Sequence, residues 1–262
     1  MRTFRHFGLI LALFPGIMFT ACRKEASNTH LSVEFTHSVG NKVFIKDSLY
    51  YINAAGNPYE VNELQYFISD IILHASDGKD VAIIADRGVH YLDIDIPASL
   101  RWNFDQVIPA GNYDSVSFTF GINKEKNKAG FFVNPPERDM FWPDMMGGGY
   151  HYLKMNGRWA DQQNQLNPFN FHLGIGMVDD GMGMMTFIQN YFKVKIPNSA
   201  VNLTSGTNHL LTVNMDIARW FETPNLWNWN VIGGMIMNNQ AAMHMVHENG
   251  GDVFSCTWRN KK

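Results

Sequence analysis

Cysteine is almost missing from this chain: there are two, Cys22 and Cys256. If Cys22 is taken up elsewhere, Cys256 has no partner, so no intrachain disulfide can hold the fold and burial has to. A basic surplus is missing as well. Lys and Arg total 21 against 24 Asp and Glu, the net charge is −3 and the pI is near 6.3, which leaves no footprint for a nucleic-acid partner. There is no glycine-rich phosphate loop after a strand and no Gly-x-Ser-x-Gly elbow. The Asp179–Asp180 pair before glycine reads as a turn rather than an acid–base dyad. Nothing here marks an enzyme, and the chain is expected to be non-catalytic. No internal repeat and no long linker divides it.

No apolar run is long enough to span a bilayer. The longest, Phe7 to Phe19, follows Arg2 and Arg5 and stops abruptly, as a secretory signal does. It runs into "FTAC", which resembles the lipobox at which a leader is cut before a cysteine that then receives lipid, with Phe19 in place of the usual leucine. Residues 1–21 are therefore expected to be a lipoprotein signal peptide, Cys22 the lipidation site and 22–29 a polar tether. Arg23 and Lys24 follow the cysteine where a surface-export signal would be acidic. A protein lipid-anchored to a membrane and facing the periplasm is the expectation.

Aromatic residues, by contrast, are plentiful at 13%, enough for an extensive core in one domain over 30–262. Alternating apolar and polar residues predict strands in "LSVEFTHSV", "ELQYFISDIILHA", "DVAIIAD", "VHYLDID", "DSVSFTFGI", "GYHYLKM", "NFHLGIG", "MTFIQNYFKVKI" and "NHLLTVNMDI". Between them, "SDGKD", "PAGNYD", "NKEKNKAG" and "NLTSGTN" carry turn chemistry. The pattern predicts an all-β sandwich of many antiparallel strands. Two helical patches interrupt it near the C-terminus, "DIARWFET" and "NNQAAMHMVHENGG".

The chemistry-bearing residues gather around "MFWPDMMGGGYHYLKMNG", from Met140 to Gly157. Three consecutive glycines permit backbone conformations closed to other residues and allow another group to approach closely. Trp142 precedes a proline and is held extended. Alternation places His151 with Leu153 and Met155 on one strand face, opposite Tyr150 and Tyr152. In "FNFHLG", His172 faces away from Phe169, Phe171 and Leu173. Two imidazoles on neighbouring strands could converge on copper, but spacing alone leaves packing and coordination both open. Of the 15 methionines, most read as adaptable core filler, with Met145 and Met146 beside the glycines as candidate third ligands. His244 and His247 share a helix face as a weaker accessory pair. Trp227 and Trp229, placed on one strand face by "WNWN", suit either sugar stacking or sandwich packing.

These landmarks, in order, resemble the MbnP-like family of periplasmic copper-handling proteins, in a divergent lipoprotein branch. They are "LQYFISDIILHASDG", "HYLDID", "IPAGNYDSVSFTFGI", "PPERDMFWPDMMGGGYHYLKMNG", "FNFHLG" and "NNQAAMHMVHENGGDVF". The resemblance implies copper held by His151 and His172, with Trp142 oxidised to kynurenine by a partner di-haem protein of the peroxidase type. Three features depart from the methanotroph pattern: Pro-Asp follows Trp142 where many relatives have a second tryptophan, no cysteine follows "HLG", and the glycine run is expanded. The resulting expectation is a copper-binding or copper-delivery protein. Its rival is a β-sandwich that binds glycans or protein partners and uses its histidines structurally.

Overall fold

The computed structural model describes residues 28–261. The leader, Cys22 and most of the expected tether lie outside the described residues. The last two tether residues, Asn28 and Thr29, already pair with Pro109 and Ile108 in the first strand.

Two sheets enclose one core. The smaller is built on the strand Asn28–Val39, which lies beside Asn208–Asp216, itself paired to Phe254–Lys261. The first of these pairings is parallel, from His30 opposite Asn208 to Ser38 opposite Asp216, where the sequence reading expected antiparallel neighbours. No hairpin links the two strands, so a parallel pairing is open to them, and its register sets Val33 opposite Leu211 and Phe35 opposite Val213, all four buried.

The larger sheet runs in the order Leu166–Leu173, Leu153–Ala160, Pro58–Ala75, Gly111–Phe120 and Phe192–Lys195, every neighbour antiparallel. Its register sorts side chains cleanly. Leu153, Met155, Phe171, Leu173, Leu64 and Tyr66 lie opposite one another and are buried inside. The alternate residues, Lys154, Asn156, His172, Glu63 and Gln65, therefore share the outer face.

Several expected elements are shorter than their patterns. "DVAIIAD" contributes only Val81–Ala82, "MTFIQNYFKVKI" breaks at Asn190–Tyr191, and "DIARWFET" forms a single 3-10 segment, Ile217–Phe221. The helix Gln240–Asn249 forms where expected, its N-terminus capped by the Asn239 side chain, which accepts from the Ala242 N–H at 3.0 Å. Trp227 and Trp229 do not share a strand face: Trp229 opens a short helix, Trp229–Ile232. Both indoles are buried, Trp227 against Phe171 at 4.9 Å and Trp229 against Phe169 at 5.0 Å between ring centroids. Neither offers a stacking face to a sugar.

Candidate metal centre

The stretch from Met140 to His151 closes on itself like a hairpin. The Trp142 N–H donates to the Gly149 carbonyl at 2.8 Å and the His151 N–H to the Met140 carbonyl at 2.8 Å. Phe141 bridges Tyr150 between them. Pro143 then starts a tight turn through Asp144–Met146, and three left-handed glycines bring the chain back, with φ of 104° at Gly147, 67° at Gly148 and 81° at Gly149.

The glycines do different work. A Cβ on Gly147 would stand 2.8 Å from Ile175 Cγ2, and one on Gly149 would overlap the side-chain amide of Asn127. That amide is engaged, its Oδ1 accepting from the Tyr150 N–H at 2.8 Å. Gly148 has room apart from Asp144 Oδ1 at 3.2 Å, so only its φ demands glycine. The close approach is made at Gly147 and Gly149.

Alternation would have put His151 on the core face with Leu153. Instead the regular strand begins at Leu153, and the bend before it turns His151 outward to meet His172. Their rings are 5.1 Å apart between centroids and nearly perpendicular at 84°. Trp142 stands on the other side of His151, 4.7 Å away and edge-on at 79°. Its indole is buried, donates Nε1–H to the Met146 carbonyl at 3.1 Å, and lies over Gly174, where any Cβ would strike it.

Each imidazole has its tautomer set. His151 Nδ1 donates to the Met140 carbonyl at 3.0 Å, so Nε2 carries the lone pair, and that buried atom has no hydrogen-bond partner. His172 Nε2 lies 2.8 Å from Asn156 Oδ1. Asn156 donates its amide to Glu63, a carboxylate that can only accept, so its oxygen must face His172. His172 therefore donates from Nε2 and its lone pair sits on Nδ1. Glu63 is held in turn by Lys154 Nζ at 2.9 Å. Asn156, Glu63 and Lys154 escaped the sequence reading. Alternation in "LKMNG" puts Lys154 and Asn156 on one face, but only the register across three strands adds Glu63 and His172.

Both imidazoles are held neutral. Burial drives the pKa of His151 from 6.5 down to about 4; burial, then the His151 and Lys154 charges, drive His172 down to about 3.

The remaining candidates fall elsewhere. Met146 is buried, with its carbonyl occupied by Trp142, whereas Met145 is 83% exposed at the turn. His244 and His247 stand 6.3 Å apart on the C-terminal helix. His244 reaches Glu248 at 3.5 Å, and His247 packs on Phe192 at 5.1 Å. Cys256 is a free, partly buried thiol whose pKa is raised by that burial. Among the described residues, no group of three or more His, Cys, Asp or Glu side chains gathers to hold a metal. The centre offers two imidazoles and an adjacent indole.

Comparisons with known proteins bear on the family and the fold. The MbnP family model matches residues 28–243. Among solved structures, MbnP from Methylosinus trichosporium superposes with a TM-score of 0.54 at 13% identity, covering 88% of this chain and 99% of that one. At that identity the likeness concerns the fold. No curated protein matches the chain.

Two outcomes are expected. Gly149→Ala, which combines positive φ with an overlap, should cost more than about 2 kcal/mol in denaturant unfolding, and Gly148→Ala only about 1 kcal/mol. Equal costs would show that backbone conformation alone requires the run.

The second concerns pH. In the unfolded chain the imidazoles take up protons near 6.5, in the folded protein only near about 4 and about 3. The unfolded state binds protons first, so metal-free protein should lose stability as the pH falls from about 6.5 towards about 4. His37, also lowered to about 4 by burial, adds to the same slope. Urea midpoints across this range should fall less steeply in His151→Gln/His172→Gln.

Proposed function

Because the chain belongs to the MbnP family, whose model covers residues 28–243, we propose that it binds copper for storage or delivery between His151 Nε2 and His172 Nδ1, without catalysing a reaction. One observation carries this reading: the buried Nε2 of His151 has no partner in the protein although its ring is fixed through Nδ1. A buried polar atom left unpaired costs roughly 1–3 kcal/mol, which binding a cation at the lone pair would offset. Nitrogen donors suit copper, and two neutral imidazoles need lose no proton to bind it. Asn156 and the Met140 carbonyl orient the rings, as outer partners of metal-bound histidines do.

Trp142 is the third participant. Oxidation to kynurenine opens its five-membered ring and supplies a ketone oxygen and an aryl amine beside His151. The indole is buried, so a di-haem peroxidase-type partner would have to draw electrons from it through the protein rather than by contact. In this reading Cys22 carries lipid and the domain works tethered to a membrane in the periplasm.

The glycan-binding alternative loses its main support with Trp227 and Trp229 buried. One array resembles a hydrolase triad. His74 lies 2.7 Å from both Asp80 and Ser117, beside a cavity of about 840 Å³. Ser117 sits within the extended strand Gly111–Phe120, however, and not on a sharp turn that would present Oγ beside free backbone N–H groups. The array is better read as a polar clasp between strands.

Metal analysis of protein purified from its native periplasm tests the proposal. Copper should accompany the wild-type chain and be absent from a folded His151→Ala/His172→Ala variant. Asn156→Ala should weaken binding by about 10- to 100-fold while leaving both ligands in place. With imidazole pKa values at about 4 and about 3, affinity should stay nearly flat down to about pH 5.5. This differs from the fall near 6.5 that unperturbed histidines would give. The Trp142 peptide of native protein should carry two added oxygens less one carbon monoxide. Copper retained by the double variant, or none in the wild type, would remove the histidine site.

A further inference from the structure

The strand carrying His172 ends at Leu173, and after Gly174 the chain leaves the sheet as a two-stranded ribbon, Ile175–Asp179 paired with Met185–Gln189. Ile175 lies opposite Gln189, Met177 opposite Phe187 and Asp179 opposite Met185, so these six side chains share one face. That face is turned towards the glycine run: a Cβ at Gly147 would meet both Ile175 Cγ2 at 2.8 Å and Phe187 Cδ1 at 3.1 Å. Met145, on the same loop as Trp142, is therefore at the foot of the ribbon.

At the far end the turn is fixed while its apolar side chains are bare. Asp180 Oδ1 accepts from the Met182 N–H at 2.8 Å and the Met184 N–H at 3.1 Å, with Gly181 at φ 75° and Gly183 at φ 91°. Met182 is 88% exposed, Met184 65% and Met185 44%. These methionines are not the core filler that composition suggests. Three thioethers within four residues, on a turn braced by one carboxylate, lie uncovered by the described chain. Thioether sulfur is soft and selects copper(I) over the harder cations that carboxylates hold. The ribbon strand spans roughly 14 Å. Along that length Met185 and then Met177 lie on the inner face, leading from the tip towards Met145.

We propose that Met182, Met184 and Met185 form a copper(I) capture site, from which Met177 and Met145 lead the ion to the His151–His172 pair. The capture site stands on its own residues, whereas the direction of transfer rests on the copper reading of the histidines. No redox step is involved: copper(I) exchanges one set of neutral ligands for another.

The test uses the full chain carrying His151→Ala/His172→Ala, titrated anaerobically with copper(I) against bicinchoninate. One equivalent should bind about tenfold or more weakly than to the wild type, with sulfur neighbours in X-ray absorption. Met182→Leu/Met184→Leu/Met185→Leu, which keeps volume and apolar character, should abolish it. In the chain with both histidines intact, the leucine variant should bind one equivalent fewer at saturation and fill the histidine pair about tenfold more slowly than the wild type does. If the histidine-free chain binds copper(I) equally with and without the leucines, or binds none, the capture site does not exist. If the histidine pair proves empty while the leucine-sensitive site holds copper(I), the capture site stands and the histidine reading alone fails. An unchanged rate of filling the histidine pair in the leucine variant would overturn the transfer path.

Discussion

The hydrogen bond from His151 Nδ1 to the Met140 carbonyl governs the site. It shares its acceptor with the His151 N–H, so one carbonyl fixes both the backbone and the ring of the same residue. Whatever closes the loop between Met140 and His151 therefore also decides which nitrogen keeps the lone pair. The loop can close only because Gly149 passes against Asn127, which in turn holds the Tyr150 N–H. The glycine run is thus part of the electronic design of the centre, since without that close approach the imidazole would lose its tautomer and its aim.

The second imidazole is set by an independent route. His172 stands on the outer face of a sheet edge, aligned by Asn156, which is anchored by Glu63 and, through it, Lys154. Loop and sheet thus present two complementary lone pairs, one from an Nε2 and one from an Nδ1. Lys154 contributes in two ways: it braces Glu63, and its charge disfavours protonated imidazole at both histidines. Imidazoles held so stay neutral in mildly acidic surroundings where exposed histidines would already be charged.

Much of this was legible in the sequence, and the limits are physical. Alternation placed the long strands, because burial on one face enforces period two, and it correctly turned His172 away from Phe171 and Leu173. It failed at His151, where the bend after the glycines resets the parity two residues before the strand begins. It also failed at "WNWN", whose tryptophans are held by an aromatic cluster drawn from distant segments rather than by strand geometry. The landmark motifs that suggested the family lie within the matched region except for the final one, of which residues 244–254 fall beyond it. The partners of the histidines were invisible because Glu63 and Asn156 are 93 positions apart and meet only through register.

Gly174 joins these parts. It separates the strand that ends after His172 from the ribbon that begins at Ile175, and Trp142 packs where its side chain would be. A residue of any other kind there would push the indole off His151 and redirect the ribbon at once. The position of the aromatic neighbour, the end of the strand that carries His172 and the departure angle of the methionine ribbon are therefore one constraint. Its origin is steric: a flat indole needs a bare backbone to lie on, and the chain changes course at the one residue that provides it.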